Sequence, residues 1–343
     1  MTVKKNIIFI VIFVMITSAL SAQSIARVSF VDGWVDIRTG SGKVDEALVG
    51  DELFAGNSVI TGKDGYAELL ERASGSRFRI SPNTVFAVRE REVNGKNESV
   101  LSVAVGEVAF KVNRVTGTGT SVSTSSAVAG VRGTEFVVYS GADGSTLIAV
   151  SEVLVEVEAF GRSVSLHADE AVEVKPGSPP GPKIQLLGRS LDFSQWNDGR
   201  RQEFLDNPVA ALRAVDRRLD YYNAQVQELH PKFLAMAERV SRGWEERDRI
   251  FKEKGQAAVD QYDRDGFRAA GIDAMHMGLN MRYFALSALS MRRFVVGNMY
   301  AEMKSRYITK PNDPVFVEFY RLYNEVLRKF EEITIPQIDK TDI

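Results

Sequence analysis

The hydrophobic period of this chain changes once, near residues 175–200. Before the change, apolar residues alternate with polar ones; after it, they recur at steps of three and four. Side chains on a strand alternate between faces, whereas those on a helix realign every 3.6 residues, so a pattern that suits one element buries the wrong face in the other. The 343 residues therefore divide into a β-part and an α-part.

In the first part Val153, Val155 and Val157 alternate with Glu152, Leu154, Glu156 and Glu158, and Val172 and Val174 flank Glu173. Turn signals interrupt the runs: Asp32-Gly33, Asp64-Gly65, Asn94-Gly95, Asp143-Gly144 and Phe160-Gly161. Such pairs suit hairpins, whose central positions take positive φ. About a dozen short strands at this spacing predict a jelly-roll-like sandwich or a short β-solenoid over residues 23–175. The stretch KPGSPPGPK follows, with prolines that favour an extended chain, and predicts a semi-rigid linker over 176–199.

Beyond it, Asn207-Pro208 reads as a helix start, with Asn as cap and Pro at the first helical position. Leu212, Val215, Leu219, Tyr222, Val226, Leu229, Phe233, Met236 and Val240 then form a heptad seam. Leu212, Leu219, Tyr222, Val226 and Phe233 are its candidate partner-binding positions. Pro231 lies inside and predicts a kink. A second helical region covers about 256–307, and a third starts at Asp313-Pro314 and carries Phe316, Phe319, Tyr323, Val326, Phe330 and Ile333. Residues 200–335 thus predict an all-α antiparallel bundle or coiled-coil arm, with a tail at 336–343.

The N-terminus reads as an export signal. Lys4 and Lys5 precede an apolar run over 7–16, and Ser18, Ala19, Ser21 and Ala22 follow. This predicts a signal peptide over 1–22, cleaved before Gln23, and a periplasmic or otherwise extracytoplasmic location. The alternative is an N-terminal membrane anchor. The chain has no cysteine, which excludes a lipid anchor at the cleavage site, disulfides, thiolate metal sites and cysteine nucleophiles. Residues 23–190 carry 17 Lys+Arg against 21 Asp+Glu, and residues 191–343 carry 24 against 24. Neither part has the basic excess of a nucleic-acid binder.

The segment AVAGVRGTEFVVYS, residues 127–140, has the glycine content of a phosphate loop. Such loops open a helix and often carry a lysine, whereas here a strand pattern continues through Val137 and Val138. The reading is a tight connection between strands. Gly130 and Gly133 allow positive φ, the Thr134 hydroxyl can satisfy a turn amide, and Arg132 pairs with a carboxylate or lies at the rim.

In order along the chain, DGWVDIRTG, LVGDELFAGNSVITGKDGYAELL, SGSRFRISPNTVFAV, LSVAVGEVAFKV, VSTSSAVAGVRGTEFVV and HADEAVEVKPG resemble the successive segments of the FecR domain family. The resemblance covers about 31–176. The step Gly130, Arg132, Gly133, Thr134 is its most recognisable part. Glu152-Val153 stands where many members have Glu-Gly, and Asp169-Glu170 where many have Gly before the Glu. Regulatory members place a sigma-factor-contacting region before a membrane helix. Only six residues precede the apolar run here, so the resemblance implies an extracytoplasmic β-domain rather than the transmembrane iron-signalling role. It does not cover 191–343.

Other constellations have ordinary explanations. His167, His230 and His276 have no ligand spacing, and Met275, His276, Met277 and Met281 read as helix packing rather than a soft-metal site. Trp196 and Trp244 read as bundle core in preference to interface anchors. No nucleophile elbow, zinc motif or paired-carboxylate context is present, and no catalytic residue, cofactor or metal is expected. The sequence therefore predicts an exported, non-enzymatic binding or scaffold module of the cell envelope. Its partner is an envelope protein or polysaccharide, with self-association through the helical arm as a further expectation. A ligand-sensing component of cell-surface signalling, working through a separate membrane partner, is the alternative. A glycan-active enzyme is the third reading, and it requires two carboxylates facing across a cleft.

Overall fold

A computed structural model describes residues 24–338, apart from 94–95, 114–119, 132 and 190. The export-signal reading, the Asn94-Gly95 turn, Arg132 and the end of the tail lie outside the described residues.

Residues 26–185 form two sheets that share one strand. The first sheet runs β4 (Glu52–Leu53), β1 (Ala26–Asp32), β6 (Tyr66–Glu71), β7 (Arg77–Ile80), β9 (Lys96–Lys111), β12 (Glu135–Ser140), β13 (Thr146–Glu152), β16 (Glu170–Val174) and β17 (Lys183–Gln185). The second runs β3 (Val44–Glu46), β2 (Val35–Arg38), β5 (Ser58–Thr61), β8 (Val85–Val93), β9, β10 (Thr120–Ser123), β11 (Val128–Val131), β14 (Leu154–Ala159) and β15 (Arg162–His167). All described pairings are antiparallel except β9 with β10.

Strand β9 changes sheets at Gly106. Up to Val105 it pairs with β8, and from Gly106 it pairs with β12. The residue has φ +101°, and a Cβ there would lie 2.2 Å from the Thr84 hydroxyl oxygen. Only glycine allows both the turn and the close approach.

The alternating residues meet between the sheets. Phe78, Phe86, Phe110 and Phe136 are buried together, with Phe110 stacked on Phe136 at 4.9 Å between ring centroids. Val155 and Val157 point into this core, and Glu156 and Glu158 point out, as the alternation predicts.

The segment 176–199 is not a free spacer. Strand β17 lies within it and pairs with β16. Helix α1 (Phe193–Asp206) starts before residue 200, with the Asp192 carboxylate accepting from the Gln195 amide at 3.1 Å. Leu186, Leu191, Phe193 and Trp196 cover Tyr139, Leu147, Ala149 and Ala171 on the outer face of the first sheet. The Trp196 indole N–H donates to Glu173 at 3.2 Å. The prolines end a strand, but the apolar residues after them find a surface to cover.

Helix α2 (Pro208–Lys254) is 47 residues long, about 70 Å at 1.5 Å per residue. Pro208 begins it as expected. Asn207 makes no side-chain cap, however; its backbone N–H closes α1 on the Glu203 and Phe204 carbonyls. The helix continues through Pro231. It is followed by α3 (Gln256–Tyr262), a π-turn at Asp263–Phe267, α4 (Arg268–Ser290), a second π-turn at Met291–Val296 and α5 (Gly297–Arg306). Helix α6 (Pro314–Lys329) starts at an Asp313 cap that accepts from Val315 N–H at 2.9 Å, and α7 (Ile335–Ile338) ends the described chain.

The seam is divided. Leu212, Leu219 and Tyr222 are buried in one helical core with Met291, Val295, Met299, Met303, Phe319 and Val326, and Val226 is buried just beyond. These four candidate partner positions face the chain's own helices, because the run from α4 through α5 returns antiparallel alongside α2, α6 lies parallel to it, and both supply apolar surface. Phe233 is half-buried, with its ring close to Gly278. Beyond Val226, α2 and the run from α3 into α4 form a two-helix arm. Gly243 lets the Phe267 ring approach, and Arg247 pairs with Asp263 at 3.2 Å. Trp244, expected in the core, is 53% exposed, with its ring edge-on to Phe267 and Arg247 above it.

No helix among the described residues is long and apolar enough to cross a membrane.

Candidate functional site

The α-part and β-part meet through arginines. Arg89 of β8 is buried and donates to the Ser287 hydroxyl at 2.6 Å, the Ser290 hydroxyl at 2.7 Å and the Leu286 carbonyl at 3.2 Å, all on α4. Burial holds its pKa below the ordinary value, although a guanidinium remains charged at neutral pH. Arg218 of α2 donates from Nε to the Ser125 carbonyl at 3.2 Å and lies 4.9 and 4.8 Å from the ring centroids of Tyr221 and Tyr222.

Next to Arg218 a cleft of about 390 Å³ opens between the β14–β15 hairpin and helices α2 and α4. Phe160, Tyr221, Tyr222, Tyr283 and Phe284 give it aromatic walls, and Arg217, Arg218, Ser126, Ser178 and Glu158 give it polar groups. The rings support one another: Tyr221 meets Phe284 edge-on at 6.2 Å, and Tyr283 meets it at 5.2 Å. Burial pushes the Tyr222 phenol up, so it stays neutral. Arg217 is exposed and has no ion pair among the described residues.

Phe160 sits at the hairpin tip with φ +48° and is 67% exposed. A bulky residue in the left-handed region costs on the order of 1 kcal/mol or more, and an exposed apolar ring gains nothing from burial there. The hairpin therefore presents this ring at the cleft mouth at a cost to stability, a pattern that accompanies binding sites.

Ser126 and Val128 of the cleft lie within the segment VSTSSAVAGVRGTEFVV that carries the family step. The step itself lies further on. Gly130 is in strand β11, so positive φ is not needed there; the backbone remains extended because β10 and β14 pair on both sides. Gly133 does take positive φ, at +65°. Thr134 is buried, and its hydroxyl oxygen has no hydrogen-bond partner among the described residues, so it does not hold a turn amide. The sequence reading missed Arg217, Arg218 and Tyr221. The run RRLDYYN held a signal: two arginines and two tyrosines at a spacing of four share a helix face.

A second cleft, of about 270 Å³, is lined by two carboxylates, Asp143 and Glu203. Both are engaged. Asp143 accepts from the Ser145 N–H at 2.9 Å and hydroxyl at 2.8 Å within its own turn, and burial raises its pKa. Glu203 pairs with Lys175 and with Arg200, the latter at 2.7 Å, and the Lys175 ammonium lowers its pKa most. Among the described residues no three His, Asp or Glu side chains converge as a metal site. The side chains of Met275 and His276 lie outside the described residues.

These features define a class: a two-sheet β-domain, with a helical unit docked against both sheets and a cleft at the junction. Residues 57–156 match the profile of the FecR protein family, so the β-part carries a FecR domain. The chain is also similar to two crystal structures of a candidate anti-sigma factor from Parabacteroides distasonis. They align at 20% and 21% identity, with TM-scores of 0.32 and 0.31, over 37% of this chain. The alignments span 59% and 57% of those chains. No curated protein matches the chain.

Proposed function

We propose that this is an exported, non-enzymatic FecR-domain protein that binds an envelope component in the cleft between its β- and α-parts. The observation that carries the reading is the combination of Phe160, held exposed at a hairpin tip, with the unpaired Arg217 and the aromatic wall of Tyr221 and Phe284. Aromatic faces stack on flat or apolar ligand faces, and a free guanidinium recognises an acidic group. The ligand that fits has an apolar face and a negative charge. The sequence signal over 1–22 supports an extracytoplasmic site of action, and mature protein beginning at Gln23 is the expected result of N-terminal sequencing.

The FecR match also favours a second reading, in which the cleft senses a ligand and a separate membrane partner relays the state. Both readings use the same cleft. Surface plasmon resonance against separated envelope fractions tests it. Binding to one fraction is expected to fall at least about tenfold in Arg217→Glu and in Tyr221→Ala, the loss of one charged or aromatic anchor. Unchanged binding in both variants removes the cleft from the account. The two readings then separate on a membrane protein that co-purifies with the ligand-bound chain.

A further inference from the structure

On the other flank of the junction a smaller cavity, of about 160 Å³, lies between the second sheet and α4. We propose that it is a binding site for a tetrahedral oxyanion, a phosphate or sulfate group, held by Arg38, Arg89 and Arg293. It is separate from the aromatic cleft and does not depend on the function assigned there.

Three arginines and no acidic residue line the cavity, together with the hydroxyls of Thr39, Ser58 and Ser290. Arg282 stands beside it, with a terminal guanidinium nitrogen 3.3 and 3.2 Å from where Cβ atoms of Gly40 and Gly56 would be. Those two positions hold the guanidinium close because neither has a side chain to exclude it. The acidic groups that act on the cluster are Asp36, near Arg38, and Glu90, near Arg282. Four guanidiniums thus face two carboxylates. The most buried of the four, Arg89, has only neutral acceptors: two serine hydroxyls and a carbonyl. A buried charge without a counter-charge is destabilising, and Arg38 is disfavoured first by its burial and then by Arg293. An oxyanion between these arginines supplies the missing charge and accepts the charge-assisted hydrogen bonds that guanidinium groups make best. A cavity of this size takes one such group with a few waters.

The test uses the purified full chain in calorimetric titrations and thermal melts, with inorganic phosphate, inorganic sulfate, acetate and chloride at matched ionic strength. Phosphate and sulfate are expected to bind saturably and raise the Tm, with acetate and chloride well behind. The double variant Arg38→Gln/Arg293→Gln removes two solvent-accessible arginines and is expected to lose at least about tenfold in phosphate affinity. Without anion it should melt no lower than the parent chain, because two mutually repelling charges are gone. Arg293→Gln alone, at an exposed position, gives a smaller loss and serves if the double variant is poorly folded. Arg217→Gln, in the other cleft, should retain phosphate binding. Equal Tm shifts with all four anions, acetate matching phosphate, or undiminished phosphate binding in the arginine variants would overturn the proposal.

Discussion

At the scale of single residues, backbone conformation sets the strongest constraints. Gly133→Val places a β-branched residue at φ +65° and is expected to cost about 1–3 kcal/mol. Gly106→Val is expected to cost more, since its Cβ also collides with Thr84 where β9 changes sheets. Urea unfolding of both variants checks the order. Glu170 makes a pH prediction. Its carboxylate accepts from the His167 N–H at 2.9 Å, from Lys183 at 2.9 Å and from Gln185 at 3.0 Å. These hold its pKa at about 2, the His167 hydrogen bond contributing most. A carboxylate with a lowered folded pKa contributes stability that is present above its unfolded value of about 4.3 and lost as pH falls towards 2. Protection of the β17 amides, taken as exchange relative to the intrinsic rate at each pH, should fall as pH drops across that window, and Glu170→Gln should remove that fall. Gly133 was readable from the sequence as a turn glycine, whereas Gly130 was not readable as a strand residue. Two glycines three apart look alike until strand pairing is known.

Among the elements, α2 shows what a heptad does and does not specify. The repeat states which residues share a face; it does not state what covers that face. Leu219 turns out to be covered by this chain's own helices, and the seam residues on the arm, Leu229 and Phe233, are only half-buried, while Leu234, off the seam, is exposed. Leu219→Ala is therefore expected to cost about 2–5 kcal/mol, and Leu234→Ala within about 0.5 kcal/mol, by thermal unfolding. Equal losses at the two positions would mean that the arm is packed like the body. Strand content was legible because alternation and turn residues agreed, as at Val155 and Val157. The packing of 176–199 was not, because prolines advertise an extended chain and say nothing of the surface that Phe193 and Trp196 cover.

At the scale of the whole molecule, the junction is the feature that sequence patterns could not foresee. Arg89 and Ser287 are separated by 198 positions, and neither lies in a recognisable motif. The cleft likewise combines a hairpin tip inside the β-part with one face of α2, so its aromatic and charged residues are scattered in the sequence and adjacent only in the fold. The account's central claim is that this cleft receives a ligand. A photo-crosslinking amino acid placed at Phe160 in cells, with the same probe at exposed Leu48 as control, tests it most directly. The account predicts one discrete adduct from position 160, absent from position 48 and lost when Arg217→Glu is added. No adduct at 160, or the same adducts at both positions, would contradict it.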